Sequence, residues 1–352
     1  MTSKVALVTD LHFGARNDNT RIIDFQERFY RDVFFPYIDA NKIDTIICLG
    51  DAFDRRKYIN FYTLHRVKKF FYEEISKRNI DFHALVGNHD SYYRNTLEVN
   101  SPSLLTGHFD NFHIYTEPKV AVVKKIPLLF LPWICKENED RTRTLSEKTT
   151  AQIVIGHFEL AGYQMHKGHA IDHGMDDDWL ERFDIVCTGH YHTRSRVGNI
   201  NYLGAPYEMT WSDYDDPKGF HILDLDKREL GFIRNPFTLF KKLDYNDTDG
   251  YDLDAIDYEE YRDCYVKVVI INKDNPHNFD QFIERLEQAN PIDLQVVDDH
   301  LNLDMVDEDL VIEQAADTLD ILNTYIKAID IKEKKGVQKL LRSIYEEAIS
   351  QS

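Results

Sequence analysis

Five short apolar runs mark the first half of the chain, and a glycine or an acidic residue ends each one. They are rich in β-branched residues and too short for helices, so they predict buried β-strands. Apolar residues at helical spacing fill the intervals between the first three runs, at about 21–40 and 61–78. This alternation predicts an α/β layered fold. The five runs are 4–9 (KVALVT), 43–49 (IDTIICL), 81–86 (DFHALV), 151–155 (AQIVI) and 183–188 (FDIVCT).

The second half of the chain carries a different pattern. Strand-like runs over 200–240 are followed by an acidic, turn-rich stretch at 244–260. A small β–α–β unit is predicted over about 258–298, and two helices with apolar stripes are predicted at 312–329 and 333–349. We therefore predict three parts, which are a first domain (1–243), a small α+β domain (244–300) and C-terminal helices (301–352).

The net charge of −19 on its own argues against a nucleic-acid-binding protein. The charge is unevenly distributed, however. Residues 1–243 hold 32 basic and 34 acidic groups, whereas residues 244–320 hold 4 basic and 23 acidic groups. Two bound divalent cations would make the first segment positive, so binding of DNA there stays open. Since no run of about 18 apolar residues occurs, we expect no membrane span and a cytoplasmic location.

Polar strings follow the five predicted strands directly. Singly they are weak indicators, because glycine, asparagine and aspartate are ordinary turn residues, and a plain turn is the alternative at each of them. Together they deliver carboxylates, an amide and imidazoles to five strand ends in succession, where α/β sheets carry their functional groups. The strings are Asp10-Leu11-His12, Gly50-Asp51-Ala52-Phe53-Asp54, Gly87-Asn88-His89-Asp90, Gly156-His157 and Gly189-His190-Tyr191-His192.

These residue types suit a pair of divalent cations. Two ions about 3.5–4 Å apart can clamp both the attacking and the leaving oxygen of a phosphoryl displacement, and one carboxylate must bridge them. Mixed aspartate, histidine and asparagine ligands suit manganese, iron or zinc, whereas magnesium alone favours oxygen ligands. The pattern therefore predicts metal-assisted chemistry on a phosphate ester.

The order D-x-H, GD-x-x-D, GNHD, GH and GH-x-H over residues 10–192 resembles the calcineurin-like metallophosphoesterase superfamily. The resemblance implies a four-layer sandwich, in which two β-sheets are flanked by helices, and two divalent ions bridged by Asp51. It implies manganese as the first choice of metal, with magnesium, iron or zinc as alternatives. The implied ligands are Asp10, His12, Asp51 and His192 for one ion, and Asp51, Asn88, His157 and His190 for the other.

Three further residues of these strings receive catalytic roles from the same resemblance. His89 binds no metal in this scheme and is expected to act as the general acid for the leaving oxygen. Asp90 is expected to orient the His89 ring. Asp54 is expected to support His89 or the metal ligands.

Within the superfamily, residues 202–226 (YLGAPYEMTWSDYDDPKGFHILDLD) resemble the SbcD-type DNA repair nucleases, and residues 131–138 (LPWICKEN) resemble the recombination endonuclease subunits of T-even-type phages. The resemblance implies that 244–300 is a capping domain and that the C-terminal helices dock on an SMC-like, coiled-coil ABC-type ATPase. It also implies a homodimer formed through helix 61–78 and the region 103–105. Ordinary packing within one chain is the alternative for both sets of helices.

Cationic and aromatic residues beside the strings suit contacts with a DNA backbone. Ordinary solvated loop residues are the alternative for each of them. The candidates are Arg55, Arg56, Tyr92, Tyr93, Arg94 and Arg194.

The sequence thus favours a manganese-dependent DNA nuclease subunit in repair and recombination, acting as an exonuclease on duplex ends and an endonuclease on single strands. Two alternatives remain. A phosphatase acting on phosphomonoesters would use the same ligands but has no need of the extra C-terminal parts. A scaffold bridging DNA and an ATPase could hold the metals structurally, but it would not need His89. If the chain is of phage origin, the location is the host cytoplasm.

Overall fold

The chain forms two compact units, Met1–His300 and Leu301–Ser352. The computed structural model describes residues 3–166, 169–170, 174–248 and 252–298, together with Val337. The two predicted C-terminal helices therefore lie outside the described residues, apart from Val337. Among the helices that are described, we find none with the length and apolar character to cross a membrane.

β-Strands dominate the first unit, where the described residues form two six-stranded sheets, a three-stranded sheet and a two-stranded ribbon. All five predicted strands are confirmed to within two residues at their ends. The strands are β1 (Lys4–Val8), β2 (Thr45–Cys48), β3 (Asp81–Leu85), β4 (Phe112–Tyr115), β5 (Lys119–Val123), β6 (Ile126–Leu131), β7 (Ile153–His157), β8 (Gln164–His166), β9 (His169–Ala170), β10 (Ile185–Gly189), β11 (Ser195–Val197), β12 (Ile200–Tyr202), β13 (Gly219–Asp224), β14 (Glu229–Arg234), β15 (Phe240–Asn246), β16 (Tyr265–Asn272) and β17 (Asp293–Asp298).

The helices lie mostly between the early strands. Five-residue π-helical segments, Tyr30–Phe34 and Lys68–Tyr72, join neighbouring α-helices into continuous helices over 20–40 and 61–77, as predicted. The α-helices are α1 (Ala15–Asp18), α2 (Thr20–Phe29), α3 (Phe35–Ala40), α4 (Phe61–Val67), α5 (Glu73–Lys77), α6 (Ser101–Thr106), α7 (Glu139–Lys148) and α8 (Pro276–Gln288), and the 3₁₀ turns are Asp178–Leu180, Trp211–Asp213, Leu253–Ala255 and Tyr258–Tyr261.

Both large sheets are mixed. The first has the strand order β14-β13-β1-β2-β3-β4, with β1 to β4 parallel and β13 antiparallel to β1 and to β14. The second has the order β11-β12-β10-β7-β6-β5, with β12, β10, β7 and β6 parallel. Because the central strands of both sheets are parallel, the loops that leave their carboxyl ends share one edge of each sheet.

Successive side chains of each strand point to opposite faces of the sheet, so the buried apolar side chains form three layers. Val5 and Leu7 of β1 pack with Ile153 and Ile155 of β7 between the two sheets. The opposite face of the first sheet packs against the helices over 20–40 and 61–77, and the opposite face of the second packs against side chains such as Leu145 of α7. The predicted four-layer sandwich of two sheets flanked by helices is therefore confirmed.

The remaining sheet is small and fully parallel, with the order β15-β16-β17. Helix α8 crosses from β16 to β17, as the sequence predicts, and buries Phe279, Phe282 and Leu286 against the sheet. Asn275 caps the helix by accepting hydrogen bonds from two backbone N–H groups. The first strand of this sheet begins at Phe240, ahead of the predicted domain boundary at 243/244.

Candidate metal centre

The seven predicted metal ligands converge at the carboxyl ends of five strands, three in the first sheet and two in the second. β1 and β10 each deliver two of them, and β2, β3 and β7 deliver one each. Most are withdrawn from solvent; Asp10 and His157 are 0% exposed and Asp51 is 1% exposed. The residues are Asp10 and His12 after β1, Asp51 after β2, Asn88 after β3, His157 at the end of β7, and His190 and His192 after β10.

Asp51, Asn88, His157 and His190 form the first of two groups, which we call cluster A. The Oδ1 atom of Asn88 lies 3.0 Å from Nε2 of His157 and 3.1 Å from Nδ1 of His190. Nε2 of His157 is also 3.2 Å from Oδ2 of Asp51. These four residues are the ones expected to share one ion.

Cluster B contains Asp10, His12 and His192, whose candidate ligand atoms all lie within 4.8 Å of one another. The Nε2 atoms of His12 and His192 are 3.0 Å apart. Nε2 of His12 is 3.9 Å from Oδ2 of Asp51, the same oxygen that faces His157 in cluster A. Asp51 therefore stands between the two clusters, where a bridging carboxylate is expected.

The hydrogen bonds around His157 show that cluster A suits a cation. Nδ1 of His157 lies 2.8 Å from the carbonyl oxygen of Leu49, so Nδ1 carries a proton. Nε2 of a neutral ring then points a lone pair at two oxygen atoms, an arrangement that requires either a proton or a metal ion. Burial alone lowers the pKa of His157, but the carboxylates of Asp51 and Asp10 outweigh it and raise the pKa to about 9.

Electrostatics differ among the other ligands. Burial, and after it the nearby His157, lowers the pKa of His190 to about 3, so His190 is a neutral donor. Burial opposes ionisation of Asp51, yet His157 and His89 hold the pKa of Asp51 well below its usual value. Metal binding requires anionic carboxylates and neutral imidazoles, so His157 and His12, whose pKa nearby carboxylates raise to about 9 in spite of burial, would each release a proton when an ion binds.

Backbone strain is concentrated at this centre. Asp10, His12, Asp51 and His190 all adopt positive φ angles, which non-glycine residues rarely do. A Cβ atom at Gly87 would overlap the backbone nitrogen and carboxylate of Asp51, so only glycine lets β2 and β3 end this close together.

His89 lies beside cluster B, and its ring is fixed by a neighbouring loop. Its Nδ1 donates a hydrogen bond of 2.6 Å to the backbone carbonyl oxygen of Asp54, which leaves Nε2 as the nitrogen that can exchange a proton. The His89 and His12 rings meet edge to face at 4.7 Å. The Asp54 side chain lies 3.6 Å from Nδ1 of His12, an ion-pair distance. Asp54 thus contacts both His89 and a candidate metal ligand.

The expected contact between Asp90 and the His89 ring is wrong for the described structure. The Asp90 carboxylate turns into the protein, where it accepts hydrogen bonds from the backbone N–H groups of Ala52 and Gly87 at 3.0 Å. Burial, and then the Asp51 charge, raises the pKa of Asp90 to about 6. Asp90 therefore ties the loop after β2 to the loop after β3, which carries His89.

The predicted DNA contacts divide into two groups. Arg55 pairs with Asp18 at 3.2 Å, and its side chain is 10% exposed. Arg56 donates to the backbone carbonyl oxygens of Ser91 and Tyr93, at 2.9 and 3.1 Å, and so fastens the loop that follows His89. Both arginines bind the protein in the described structure.

The other four candidates are more accessible. Tyr92 and Tyr93 are 40% and 48% exposed, with their rings 4.8 Å apart. Arg94 and Arg194 are exposed as well. The Arg194 guanidinium stacks over the Phe232 ring at 4.1 Å.

Several residues that contact the predicted ligands were not identified from the sequence. The hydroxyl group of Thr9 donates to Asp10 at 2.9 Å, and the Trp133 ring lies 5.1 Å from the ring of His190. Trp133 belongs to the segment 131–138, from which only a family resemblance was inferred. Trp133 lies two residues after the buried strand β6 and ahead of a charged loop. This position could have indicated that Trp133 lines the site.

Lys218 is the most important residue that was not identified from the sequence. It is a buried cation that contacts the backbone of His192 in cluster B. Its Nζ lies 2.7 Å from Asp213, 2.9 Å from Asp216 and 2.8 Å from the carbonyl oxygen of His192. The Lys218 side chain is 3% exposed. The string Asp-Tyr-Asp-Asp-Pro-Lys shows the local charge pairing, but the contact with His192 spans 26 positions and has no local signature.

A two-sheet sandwich with paired imidazole and carboxylate clusters at its strand ends, joined by one aspartate, defines a metal-dependent phosphoesterase. The family model for calcineurin-like phosphoesterases matches residues 3–194, and the chain belongs to this family. The prediction of an enzyme of this class is confirmed.

Named relatives confirm the narrower resemblance as well. Exonuclease subunit 1 of Enterobacteria phage T4 is 28% identical over 349 residues, covering 98% of this chain and 99% of that protein. The SbcD component of the SbcCD nuclease from Staphylococcus epidermidis is 23% identical over 78% of each chain. Among solved structures, an archaeal phosphodiesterase matches 66% of this chain and 99% of its own, with a TM-score of 0.32 and 13% identity.

Proposed function

We propose that this protein is the nuclease subunit of a DNA repair and recombination complex, hydrolysing DNA phosphodiester bonds with two divalent ions. The observation that carries this proposal is the pair of clusters joined at Asp51, with the immobilised ring of His89 beside them. Similarity over nearly the whole length to a phage exonuclease subunit supports DNA as the substrate. The activities proposed are exonuclease action on duplex ends and endonuclease action on single strands.

Cluster A and cluster B would each hold one ion, with Asp51 as a ligand of both. The residues fit, because each cluster offers imidazole nitrogens together with an anionic oxygen. When bound, two such ions neutralise charge on a phosphate group and orient it for in-line displacement. Manganese is our first choice, and magnesium, iron or zinc are alternatives, since nitrogen and oxygen ligands are mixed.

His89 would supply the proton that the leaving oxygen needs. The Asp54 carbonyl group holds Nδ1, so the ring presents Nε2 for proton transfer in one orientation. Asp90 would support this geometry indirectly, because it binds the loops that carry His89 and Asp54.

Contacts with the DNA backbone would come from the exposed Tyr92, Tyr93, Arg94 and Arg194, with the aromatic rings available for base stacking. Arg55 and Arg56 would shape the loops that meet the DNA, since both are bonded within the protein.

Partners are proposed by analogy with the relatives, which are subunits of larger nucleases. An SMC-like ATPase would bind the C-terminal segment 301–352, and residues 244–300 would form the capping domain. A homodimer would form around the start of α4, where Phe61 is 88% exposed, and α6, where Leu104 is 74% exposed. The complex would work in the cytoplasm of a cell or of a phage-infected host.

His89→Ala is the sharpest test. With manganese present, the wild-type protein is expected to degrade linear duplex DNA and hydrolyse bis-p-nitrophenyl phosphate. The variant should lose about 10²–10⁴-fold in rate if His89 is the general acid, while the number of bound manganese ions stays the same. Because His12, Asp54 and His89 also lie within 4.8 Å of one another, the metal count separates proton transfer from metal ligation.

His108→Ala is the matched control, since His108 is exposed and lies outside both clusters. Full activity in His89→Ala would reject the role of His89. Faster hydrolysis of p-nitrophenyl phosphate than of the diester by the wild-type protein, with intact DNA, would instead support the phosphatase. Bound metal without hydrolysis of any phosphoester would support the scaffold.

A further inference from the structure

A second group of potential metal ligands lies in the first sheet, towards the ends of the strands that face away from clusters A and B. Asp81 begins β3 and His83 follows two positions later, so both side chains project from the same face. His113 of β4 pairs in register with His83, and the two rings stack at 4.7 Å. Asp81 and His113 lie at or next to the first residue of their strands, whereas the catalytic clusters follow the carboxyl ends, so the two sites lie towards opposite ends of the strands.

Both imidazoles converge on one carboxylate. Nε2 of His83 is 3.0 Å from Oδ2 of Asp81, and Nε2 of His113 is 2.7 Å from Oδ1 of the same residue. Ligand atoms from all three residues lie within 4.8 Å of one another. Atoms about 2.0–2.1 Å from a tetrahedral zinc ion are about 3.3 Å apart. A small movement of the half-exposed Asp81 and His113 side chains would therefore reach that geometry.

The surroundings hold the buried member in place. His83 is 4% exposed, and its Nδ1 lies 2.8 Å from the hydroxyl group of Tyr115, two positions beyond His113 on β4. The Tyr115 ring stacks on Phe130 of the second sheet at 4.0 Å. A metal-bound histidine usually donates its other ring N–H to such a partner, which fixes the tautomer and the ring orientation.

A cation near this group, Lys124, is paired with a different carboxylate. Lys124 pairs with Asp44, whose backbone carbonyl oxygen accepts the N–H of Asp81. Hydrogen bonding with His83, and also with His113, lowers the pKa of Asp81, so this group is an anion at neutral pH.

We propose that Asp81, His83 and His113 form a zinc site, separate from the catalytic centre, with three protein ligands and one solvent-facing position. Two imidazoles and a carboxylate favour zinc over magnesium or calcium, which prefer all-oxygen sites. Each ring binds the ion through the Nε2 lone pair after its N–H proton moves to Nδ1, or leaves to solvent if the ring was charged. The ion joins β4, the edge strand of the first sheet, to β3.

The test is a zinc-binding measurement on the full-length protein at micromolar free zinc, by equilibrium dialysis. Wild-type protein is expected to hold one zinc ion more than Asp81→Asn, which keeps the side-chain shape but removes the anionic ligand. His113→Ala should show the same loss. Cobalt substitution should give the intense visible absorption of a tetrahedral ion in the wild type, and this band should be weaker in both variants.

His277→Ala is the matched control, because His277 is exposed on α8 and contacts Gln281. It should bind as much zinc as the wild type. Manganese-dependent phosphoesterase activity should be unchanged in Asp81→Asn, which separates this result from any failure of the proposed nuclease function. Equal zinc content in all four proteins, or an additional ion bound only at millimolar zinc, would overturn the proposal.

Discussion

Lys218 illustrates how single residues support the candidate centre from behind. Burial lowers the pKa of its ammonium group, but Asp213 and Asp216 outweigh that effect, so the pKa is raised and the group stays charged. Burial likewise opposes ionisation of Asp213, and Lys218 still lowers the pKa of that carboxyl to about 2. The same ammonium group donates to the carbonyl oxygen of His192, so the charge cluster and a predicted metal ligand share one contact.

Lys218→Met should both destabilise the fold and weaken metal binding. Removing one partner of a buried ion pair leaves unpaired carboxylates, which costs about 3–5 kcal/mol. Urea unfolding should show this loss, and the manganese concentration for half-maximal hydrolysis should rise because the His192 carbonyl group loses its donor.

Lys241→Met is the control for Lys218→Met. Lys241 pairs with Glu260 at 3.3 Å on the surface, where a pair contributes about 0–1 kcal/mol. An unchanged manganese requirement in Lys218→Met, despite lower stability, would show that Lys218 has no effect on His192.

At the scale of elements, local sequence patterns predicted where the central strands lie and where they end. The strands ending near residues 9, 49, 86, 155 and 188 were found because valine and isoleucine runs stop at polar strings. β5 is not among the predicted strands, although its sequence KVAVV has four consecutive apolar residues, because two lysines follow it instead of a ligand-bearing string. The convergence of the seven candidate ligands could be predicted, because their motifs follow successive strands along the chain. The direction of Asp90 could not, because backbone N–H groups of two loops decide it.

A buried titratable residue, Glu208, lies at the junction between the first domain and the three-stranded sheet, and no sequence pattern indicated its role. Glu208, which is 3% exposed, accepts hydrogen bonds through Oε2 from the backbone N–H groups of Leu239 and Phe240, at 2.5 and 3.0 Å. These residues lead into β15. Burial raises the pKa of Glu208 from 4.5 to about 7, in spite of those two bonds.

Glu208→Gln should therefore remove a pH dependence of stability. Because the folded state raises this pKa, the protonated acid stabilises the fold fully below about pH 4.5, and that contribution is lost as the pH rises through about 7. The neutral amide should make the variant more stable than the wild type at pH 8, by at most about 3 kcal/mol. Urea unfolding at pH 5 and pH 8 measures the difference.

Glu98→Gln provides the comparison, because Glu98 is exposed. Its unfolding free energy should change with pH as that of the wild type does. If Glu208→Gln keeps the wild-type pH profile between 4.5 and 7, the buried carboxyl group is not the source of the dependence.

At the scale of the whole molecule, the exposed apolar side chains are concentrated near the loops after β2 and β3. Phe61 is 88% exposed and Tyr58 is 59% exposed, and Leu104 of α6 is 74% exposed. When such side chains form a contiguous patch, the patch marks a protein–protein interface. Their place in the chain agrees with the segments from which the resemblance implied a homodimer.

Phe61→Asp combined with Leu104→Asp should convert a dimer into a monomer. Phe61 is the first residue of α4, where an aspartate is favourable to the helix, so the variant is expected to fold. Light scattering after size-exclusion chromatography should give the mass of two chains for the wild type and of one for the variant. Val122→Asp is the control, since Val122 is 68% exposed on β5, the edge strand of the other sheet, and it should leave the dimer intact. A wild-type protein that is monomeric at micromolar concentration would reject the homodimer and leave these side chains to a different partner, such as the ATPase.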